Sequence, residues 1–391
     1  MGRVILFTEV FPYYGRETFL EVEIKYLAQS FDKVYLFPFR SKGTDLKPLP
    51  SNCEVMPAIT KTKVGMYLGL LVPSRAHLVF TKELFSKKVF SNWKSFKTWI
   101  IAFAMTNSYL HNKTIRKVFK ESDEGDVFYS YWGKGGCFLA PFLNWEGKFI
   151  SRFHGEWDLW EERCGNYGPL RQEILSRLSI AFPISNKGEQ YLKSRYNTNR
   201  VVVSRLGTQY HGKSYRSKDG CFRIVSCSTI DANKRVLYML DVFSSTTFPI
   251  EWTHIGIGPD METLQNRVKA NNNPNLKVNI KGRLANNEVF DYYLSNPVDC
   301  FINLSYSEGI PVSIMEAISC NIPVIATNVG STSEIVCDET GVLLTSEPTI
   351  EDVLNAIQKI KNGDYAPFDF WNQNYNAKNN YRKFIVELQK K

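Results

Sequence analysis

Long apolar runs are missing from this chain. No stretch approaches the roughly 18–20 apolar residues that span a bilayer, and the short apolar run in the opening MGRVILFTEVFP reads as a first strand, not a leader or an anchor. Cysteine pairs are missing as well. The eight cysteines (53, 137, 164, 221, 227, 300, 320 and 337) include no Cys-x-x-Cys, and Cys227 and Cys300 sit inside apolar, strand-like runs. That excludes a zinc-type spacing and a disulfide framework, and it is the pattern of buried thiols in a reducing compartment. There is also no Asp-x-Asp, internal repeat, low-complexity tract or nucleic-acid motif. With 391 residues, 43% hydrophobic and 22% charged, the expectation is a cytoplasmic globular protein of two or three domains.

One segment lacks acid. Residues 61–120 hold twelve Lys/Arg against Glu83 alone, a net +11 that exceeds the +9 of the whole chain. The bases alternate with apolar and aromatic groups such as MYLGLLV and TWIIAFAM. Basic, aromatic-rich amphipathic helices suit an anionic membrane surface, and Lys87, Lys88, Lys94 and Lys97 are the residues expected to face it. The alternative is a basic helical face whose apolar side is ordinary core. A nucleic-acid surface fits less well, given the layout elsewhere and the absence of a motif.

Elsewhere strand-like and helix-like segments alternate, which predicts doubly wound α/β architecture. Strands are expected at 4–8, 33–38, 127–131, 149–153 and 180–184, with a first helix over 17–31. The polar stretch 206–220 reads as a linker. A second series follows at 222–227, 252–255, 277–280, 299–304, 324–326 and 341–344, and the tail 368–391 reads as one or two helices.

The most informative stretch is Ser307–Gly330, SEGIPVSIMEAISCNIPVIATNVG. A buried strand, DCFINL, runs into a Glu308–Gly309 turn, a helix opening near Pro311 and a second acid at Glu316. In an open α/β sheet such a corner lies on the ligand-binding edge, and its free N–H groups favour anions such as a diphosphate. Either glutamate alone reads as a helix cap or a solvated helix charge. The whole string, kept in register through Pro323-Val-Ile-Ala, reads as function.

That block resembles the E-x7-E signature of the retaining glycosyltransferases of family 4. The resemblance implies a GT-B fold, in which two Rossmann-like domains face each other across a cleft and a C-terminal helix crosses back to the first. On this chain the implied domains are 1–205, 206–370 and a returning helix at 371–391. It also implies that Glu308 contacts the donor sugar near the anomeric carbon, that the backbone of Gly309, Ile310, Pro311 and Val312 holds sugar and phosphate oxygens, and that Glu316 binds the ribose hydroxyls. Ile310 and Pro311 stand where the family often has Phe and Gly, so the donor stays open, with UDP- or GDP-sugar expected as a substrate and no cofactor or metal.

Further segments carry the same resemblance. IVSCSTIDANKRV (224–236) is similar to the family's Gly-Arg-Leu…Lys-Gly element, with Lys234 as the phosphate-binding lysine, Thr229 where the arginine stands and Arg235 replacing the glycine. Arg235 or Arg283 is the expected second cation. His254-Ile-Gly256-Ile-Gly-Pro resembles the Gly-x-Gly-Pro turn, which a tight turn explains equally well. Ser151-Arg-Phe-His154-Gly-Glu-Trp-Asp158 resembles an element whose histidine lies near the donor sugar, so His154 is expected to hydrogen-bond the sugar and share charge at the reacting centre. Gly15 matches the glycine loop facing the donor phosphate, and Glu17 reads as a helix-start carboxylate.

The resulting expectation is a retaining, metal-independent glycosyltransferase acting on a lipid-linked saccharide in bacterial surface-polysaccharide assembly (O-antigen or capsule), peripheral at the inner face of the cell membrane. A non-catalytic GT-B subunit binding a partner or the membrane, and a nucleotide-sugar epimerase, are the alternatives. Glu308, Glu316, Lys234 and His154 speak against the subunit, and Thr229 keeps it open.

Overall fold

The computed structural model describes residues 2–14, 17–86, 89–143, 145, 147–155 and 158–390, the side chains of Ser86 and Arg163 excepted. They form two compact units, Met1–Arg205 with Tyr381–Lys391, and Leu206–Asn380.

The first unit is built on a parallel sheet of β1 (Arg3–Thr8), β2 (Lys33–Pro38), β3 (Cys53–Val55), β4 (Val127–Ser130), β5 (Lys148–Phe153) and β6 (Ile180–Pro183), in the order β3-β2-β1-β4-β5-β6. The strands read as nearly continuous apolar runs because both sheet faces are covered. In β1, Val4 and Leu6 enter one core and Ile5 and Phe7 the other. Helix α1 (Leu20–Ser30) buries Leu20, Glu23, Ile24 and Leu27, the spacing of one helical face. It starts three residues later than the sequence suggested.

The acid-poor segment folds as a helical layer of α2 (Lys63–Leu68), α3 (Arg75–Ser86), α4 (Trp93–His111) and α5 (Lys113–Lys120). Along α4, Trp93, Phe96, Trp99 and Phe103 stack in sequence with ring centroids 5.6–5.8 Å apart, the side-chain contact that helical i, i+3 and i, i+4 spacing produces. The outer side of the layer keeps large apolar groups in solvent, with Leu71 79%, Phe85 80% and Trp93 73% exposed. Among the described residues no helix is long and apolar enough to cross a membrane. Lys94 and Lys97 are exposed; Lys87 and Lys88 lie outside the described residues.

Helices α6 (Arg171–Arg177) and α7 (Asn186–Arg195) complete this part of the unit, and Ser185 caps α7 through Gly188 N at 3.0 Å.

The second unit repeats the plan. Strands β7 (Phe222–Cys227), β8 (Ile250–Ile255), β9 (Leu276–Gly282), β10 (Cys300–Asn303), β11 (Val324–Thr327) and β12 (Gly341–Leu344) form a parallel sheet in the order β12-β11-β10-β7-β8-β9. Helices α8 (Val236–Ser244), α9 (Met261–Ala270), α10 (Asn286–Ser295), α11 (Val312–Ser319), α12 (Ile350–Asn362) and α13 (Pro367–Asn374) accompany it. Counted from its first strand, each sheet has the order 3-2-1-4-5-6 of the dinucleotide-binding fold, whose crevice opens where the order reverses. Those points are β1/β4, with Val4 opposite Val127, and β7/β10, with Ile224 opposite Cys300.

Two readings of the sequence change. Residues 206–220 are not a free linker: Thr208 accepts a hydrogen bond from Trp371 Nε1 at 2.9 Å, Ser214 N donates to the Cys320 carbonyl at 2.8 Å, and His211 stacks on Phe290. A polar composition concealed a strap held by backbone and side-chain hydrogen bonds. The tail divides, so that α13 belongs to the second unit while α14 (Ala377–Gln389) belongs to the first from Tyr381 on. There Phe384 packs edge-on against Phe182 with centroids 5.0 Å apart.

Candidate functional site

At the β7/β10 switch point four loops meet. Gly256, after β8, has φ +147, and a Cβ there would lie 1.9 Å from the Ser228 carbonyl oxygen. Gly258 is held in the same way, 2.1 Å from the Ile230 carbonyl. The Gly-x-Gly pair therefore lets the loop after β8 lie directly on the loop after β7, a packing role that any Cβ would forbid. The loop after β7 in turn joins the loop after β10, because Tyr306 N donates to Asn233 O at 2.8 Å and Asn233 Nδ2 to Ser307 O at 3.2 Å. Gly330, at φ +54, brings the loop after β11 onto Glu308, and Ser331 N donates to Gly309 O at 3.0 Å.

This packing sets two charges against each other. Lys234 Nζ lies 2.5 Å from Glu308 Oε1, and Asn303 Nδ2 donates to the same oxygen at 3.2 Å. Glu308 is 8% exposed, while the Lys234 side chain keeps 25% of its surface. Asn303 is aimed by Ser305, whose N–H and hydroxyl both donate to its Oδ1. The arrangement is a cation and a fixed carboxylate at the mouth of a parallel sheet. Next to it, Pro311 caps α11, whose Val312 and Ser313 amides have no intrahelical acceptor. Ile310 and Pro311 are buried, and Gly309 and Val312 half-buried.

Glu316 stands in the middle of α11 and accepts a hydrogen bond from Asn286 Nδ2, at the start of α10, over 2.6 Å. The residue keeps some exposure, yet burial of its carboxyl pushes the pKa up to about 7, against the lowering effect of Asn286. Arg283 is exposed in the loop before α10. Arg235 is placed otherwise than expected. In a left-handed backbone conformation (φ +52), its guanidinium donates to the Ser346 carbonyl at 3.0 Å and lies over the rings of Tyr306 (4.3 Å) and Tyr238 (5.1 Å). Those contacts hold loops together and leave Lys234 as the cation that meets Glu308.

In the first unit His154 follows β5 and is 9% exposed. Asp158 accepts from the backbone N–H groups of His154 and Gly155, at 3.0 and 2.8 Å. The ring is packed by Phe19, Tyr131 and Trp132. Burial lowers its pKa to about 4, with Asp158 opposing. The imidazole is therefore neutral at pH 7. Its Nε2 lies 2.9 Å from the Tyr131 carbonyl, which places the proton on Nε2 and the lone pair on Nδ1. A neutral ring can hydrogen-bond but carries no positive charge to share. Gly15 lies outside the described residues.

Glu17 is a residue whose role the sequence understated. It precedes α1, is 4% exposed, and accepts from the backbone N–H groups of Glu9, Val10 and Phe11 at 2.7–3.0 Å and from Trp132 Nε1 at 2.6 Å. It clamps the loop after β1 to the loop after β4. Asn303 was a second silent residue, its one signal being a polar side chain closing an apolar strand.

Residues 211–383 match the family model described as glycosyl transferases group 1. Among curated proteins, the chain is 24% identical over 227 residues to a protein named as the colanic acid biosynthesis glycosyltransferase WcaL of Salmonella typhimurium, covering 54% of this chain and 55% of that one. It is 24% identical to the Escherichia coli WcaL over 261 residues, covering 62% and 64%. A 56-residue match at 41% identity, 14% of each chain, joins it to a protein named as the teichuronic acid biosynthesis glycosyltransferase TuaC of Bacillus subtilis. The alignments thus span just over half to just under two thirds of the WcaL proteins.

Solved structures share the fold over nearly the whole chain. They include the lipopolysaccharide outer core galactosyltransferase WaaB (TM-score 0.68, 12% identity, 98% of this chain and 99% of that one). Anabaena HepE in complex with UDP-glucose aligns with a TM-score of 0.66 at 13% identity, over 99% of each chain. The architecture is that of GT-B glycosyltransferase structures.

Proposed function

We propose that this chain is a retaining glycosyltransferase that moves a sugar from a nucleotide-sugar donor, UDP- or GDP-linked, to a hydroxyl of a lipid-linked saccharide in bacterial surface-polysaccharide assembly. The observation that carries the reading is the Lys234–Glu308 pair at the β7/β10 switch point, inside the segment that matches the group 1 model. The names of the relatives, in colanic acid, teichuronic acid and lipopolysaccharide synthesis, support the polysaccharide context.

The chemistry assigns each group a task. As the bond from the anomeric carbon to the diphosphate oxygen breaks, negative charge grows on the leaving group, and Lys234 stabilises it. Positive charge grows on the anomeric carbon, and Glu308, fixed by Asn303 and paired with Lys234, faces that charge. Ionised Glu316 accepts the two ribose hydroxyls. His154, neutral, offers Nδ1 to a sugar hydroxyl. Retention follows from attack on the face the diphosphate leaves, with the acceptor proton passing to a phosphate oxygen. Arg283, exposed before α10, is the candidate contact for the base or a phosphate. The exposed apolar and basic outer side of the α2–α4 layer supports peripheral contact with an anionic membrane.

A thermal-shift screen of UDP-, GDP-, ADP- and CMP-sugars, with Glu316→Ala alongside, tests the donor site. One nucleotide class stabilising the wild type but not the variant is expected. No shift with any of them would favour a non-catalytic GT-B subunit.

A further inference from the structure

A cavity of about 360 Å³ lies inside the first unit, at the edge of the sheet where β1 and β4 part. Its floor is Phe7 and Phe39 with the loop after β4, where Gly136 packs so closely on Phe7 that a Cβ would sit 2.3 Å from that side chain. Its roof comes from the helical layer: Met66 and Tyr67 of α2, and Ile101, Ala102 and Met105 of α4. The rim is basic, with five lining bases against two acids, a net +3. Three of the bases are already engaged. Arg40 pairs with Glu9, Lys134 lies 4.0 Å from Glu9, and Arg171 lies 3.9 Å from Glu161. Lys63 and Lys97 are exposed and have no acidic partner among the described residues.

The wall chemistry selects the occupant. Four of the five roof residues, Met66, Ile101, Ala102 and Met105, offer no side-chain hydrogen-bond donor, and the floor is aromatic hydrocarbon; of the other lining groups, Trp160 Nε1 is buried without a partner among the described residues. Against that roof and floor a sugar would leave hydroxyls unpaired, which is costly, whereas hydrocarbon loses nothing there. Helix α2 is also apolar on both sides. Met66 faces inward, 7% exposed, while Val64 and Leu68 remain 67% and 58% exposed. A short helix with apolar groups on its outer side as well is a thin cover between the cavity and an apolar exterior.

We propose that this cavity binds the hydrocarbon of a single-chain lipid phosphate, with the phosphate held at the mouth by Lys63 and Lys97. This deepens the lipid-linked acceptor reading and rests on it: the cavity would take the first part of the carrier chain and leave its saccharide outside. Lys97, expected from the sequence to face the membrane surface, is thereby assigned to the cavity mouth.

The test is direct binding to the full-length protein, read by calorimetry and by the fluorescence of the lining residues Trp132 and Trp160. The probes are dodecyl phosphate below its micellar concentration, farnesyl phosphate, dihexanoyl phosphatidic acid, dodecanol and inorganic phosphate. Saturable one-to-one binding of the two single-chain phosphates is expected, at least ten-fold tighter than dodecanol, inorganic phosphate or the two-chain lipid. Ala102→Phe, which fills the cavity, is expected to weaken it at least ten-fold while leaving UDP-glucose affinity unchanged. Lys63→Ser/Lys97→Ser, both on the exposed surface and without consequence for folding, is expected to weaken dodecyl phosphate about ten-fold and dodecanol not at all. Absence of saturable binding, binding indifferent to both variants, or inorganic phosphate binding as tightly as dodecyl phosphate would overturn the assignment. Binding by a protein that transfers no sugar would uphold the cavity and remove the transferase reading. Transfer to a lipid-linked acceptor with unchanged KM in Ala102→Phe would overturn the cavity and leave the transferase standing.

Discussion

Under the proposed function, Glu316 should couple donor binding to pH. Its carboxyl is held near pH 7 by burial, and only the ionised form accepts both ribose hydroxyls. With a pKa of about 7 the ionised fraction rises from about 0.09 at pH 6 to about 0.91 at pH 8, so donor affinity should improve about ten-fold across that range, close to 1.4 kcal/mol. UDP-glucose is the suitable probe because its diphosphate does not titrate between those values. Calorimetric titration at half-unit intervals should show the ten-fold rise in the wild type and a flat profile at weaker affinity in Glu316→Gln. Ligand-free stability should carry the opposite sign. The folded carboxyl holds a proton that an unfolded glutamate, at its ordinary 4.5, has lost, so this group's contribution falls as pH rises from 4.5 through 7. Glu316→Gln should therefore melt higher than the wild type at pH 8 and not at pH 4.5. A wild-type affinity independent of pH, or the same slope in the variant, would refute the assignment of Glu316 to the ribose.

Lys234→Met should lower kcat/KM about 10²–10³-fold, the usual cost of removing one charge-stabilising group, with steady-state transfer rates as the check. Arg152, fully buried, donates to Tyr129 OH at 2.7 Å and to the Ser204 carbonyl at 2.7 Å and balances buried Glu23. Arg152→Met should cost about 3–5 kcal/mol by leaving Glu23 uncompensated, and adding Glu23→Gln should recover most of it in urea melts. Replacing Lys87, Lys88 and Lys94 by Ser should weaken binding to anionic vesicles by about 3 kcal/mol, on the order of 10²-fold, at about 1 kcal/mol per base. Unchanged co-sedimentation would dispose of the membrane reading.

Where the chemistry is local, the sequence was readable. Strands 222–227 and 341–344 match β7 and β12 to the residue, since a parallel strand covered on both faces is a plain apolar run. The Glu308-to-Glu316 corner was visible because one strand, one turn and one helix carry it. One very short edge strand and the distant partners were not. Strand β3 is three residues long at the sheet edge, where nothing demands an apolar run, and only its register with β2, Val34 to Cys53, identifies it. Glu17 looked like a helix-start acid because it precedes α1 closely, while its partner Trp132 is 115 residues away. The Lys234–Glu308 pair, 74 residues apart, becomes a contact only when the sheet order sets β7 beside β10. Arg235, adjacent to Lys234, was indistinguishable from a second phosphate cation until its aromatic and carbonyl partners were placed.

The most direct test of the central claim follows labelled sugar from the nucleotide donor that the thermal-shift screen selects into a bacterial lipid-linked saccharide fraction. Wild-type and Glu308→Gln proteins are compared, and the anomeric configuration of the product is read by NMR. Transfer with the donor's configuration retained is expected, with a loss of at least about 10³-fold in Glu308→Gln and donor affinity within a few-fold of wild type in that variant. Transfer by Glu308→Gln at the wild-type rate, or a product of inverted configuration, would contradict it.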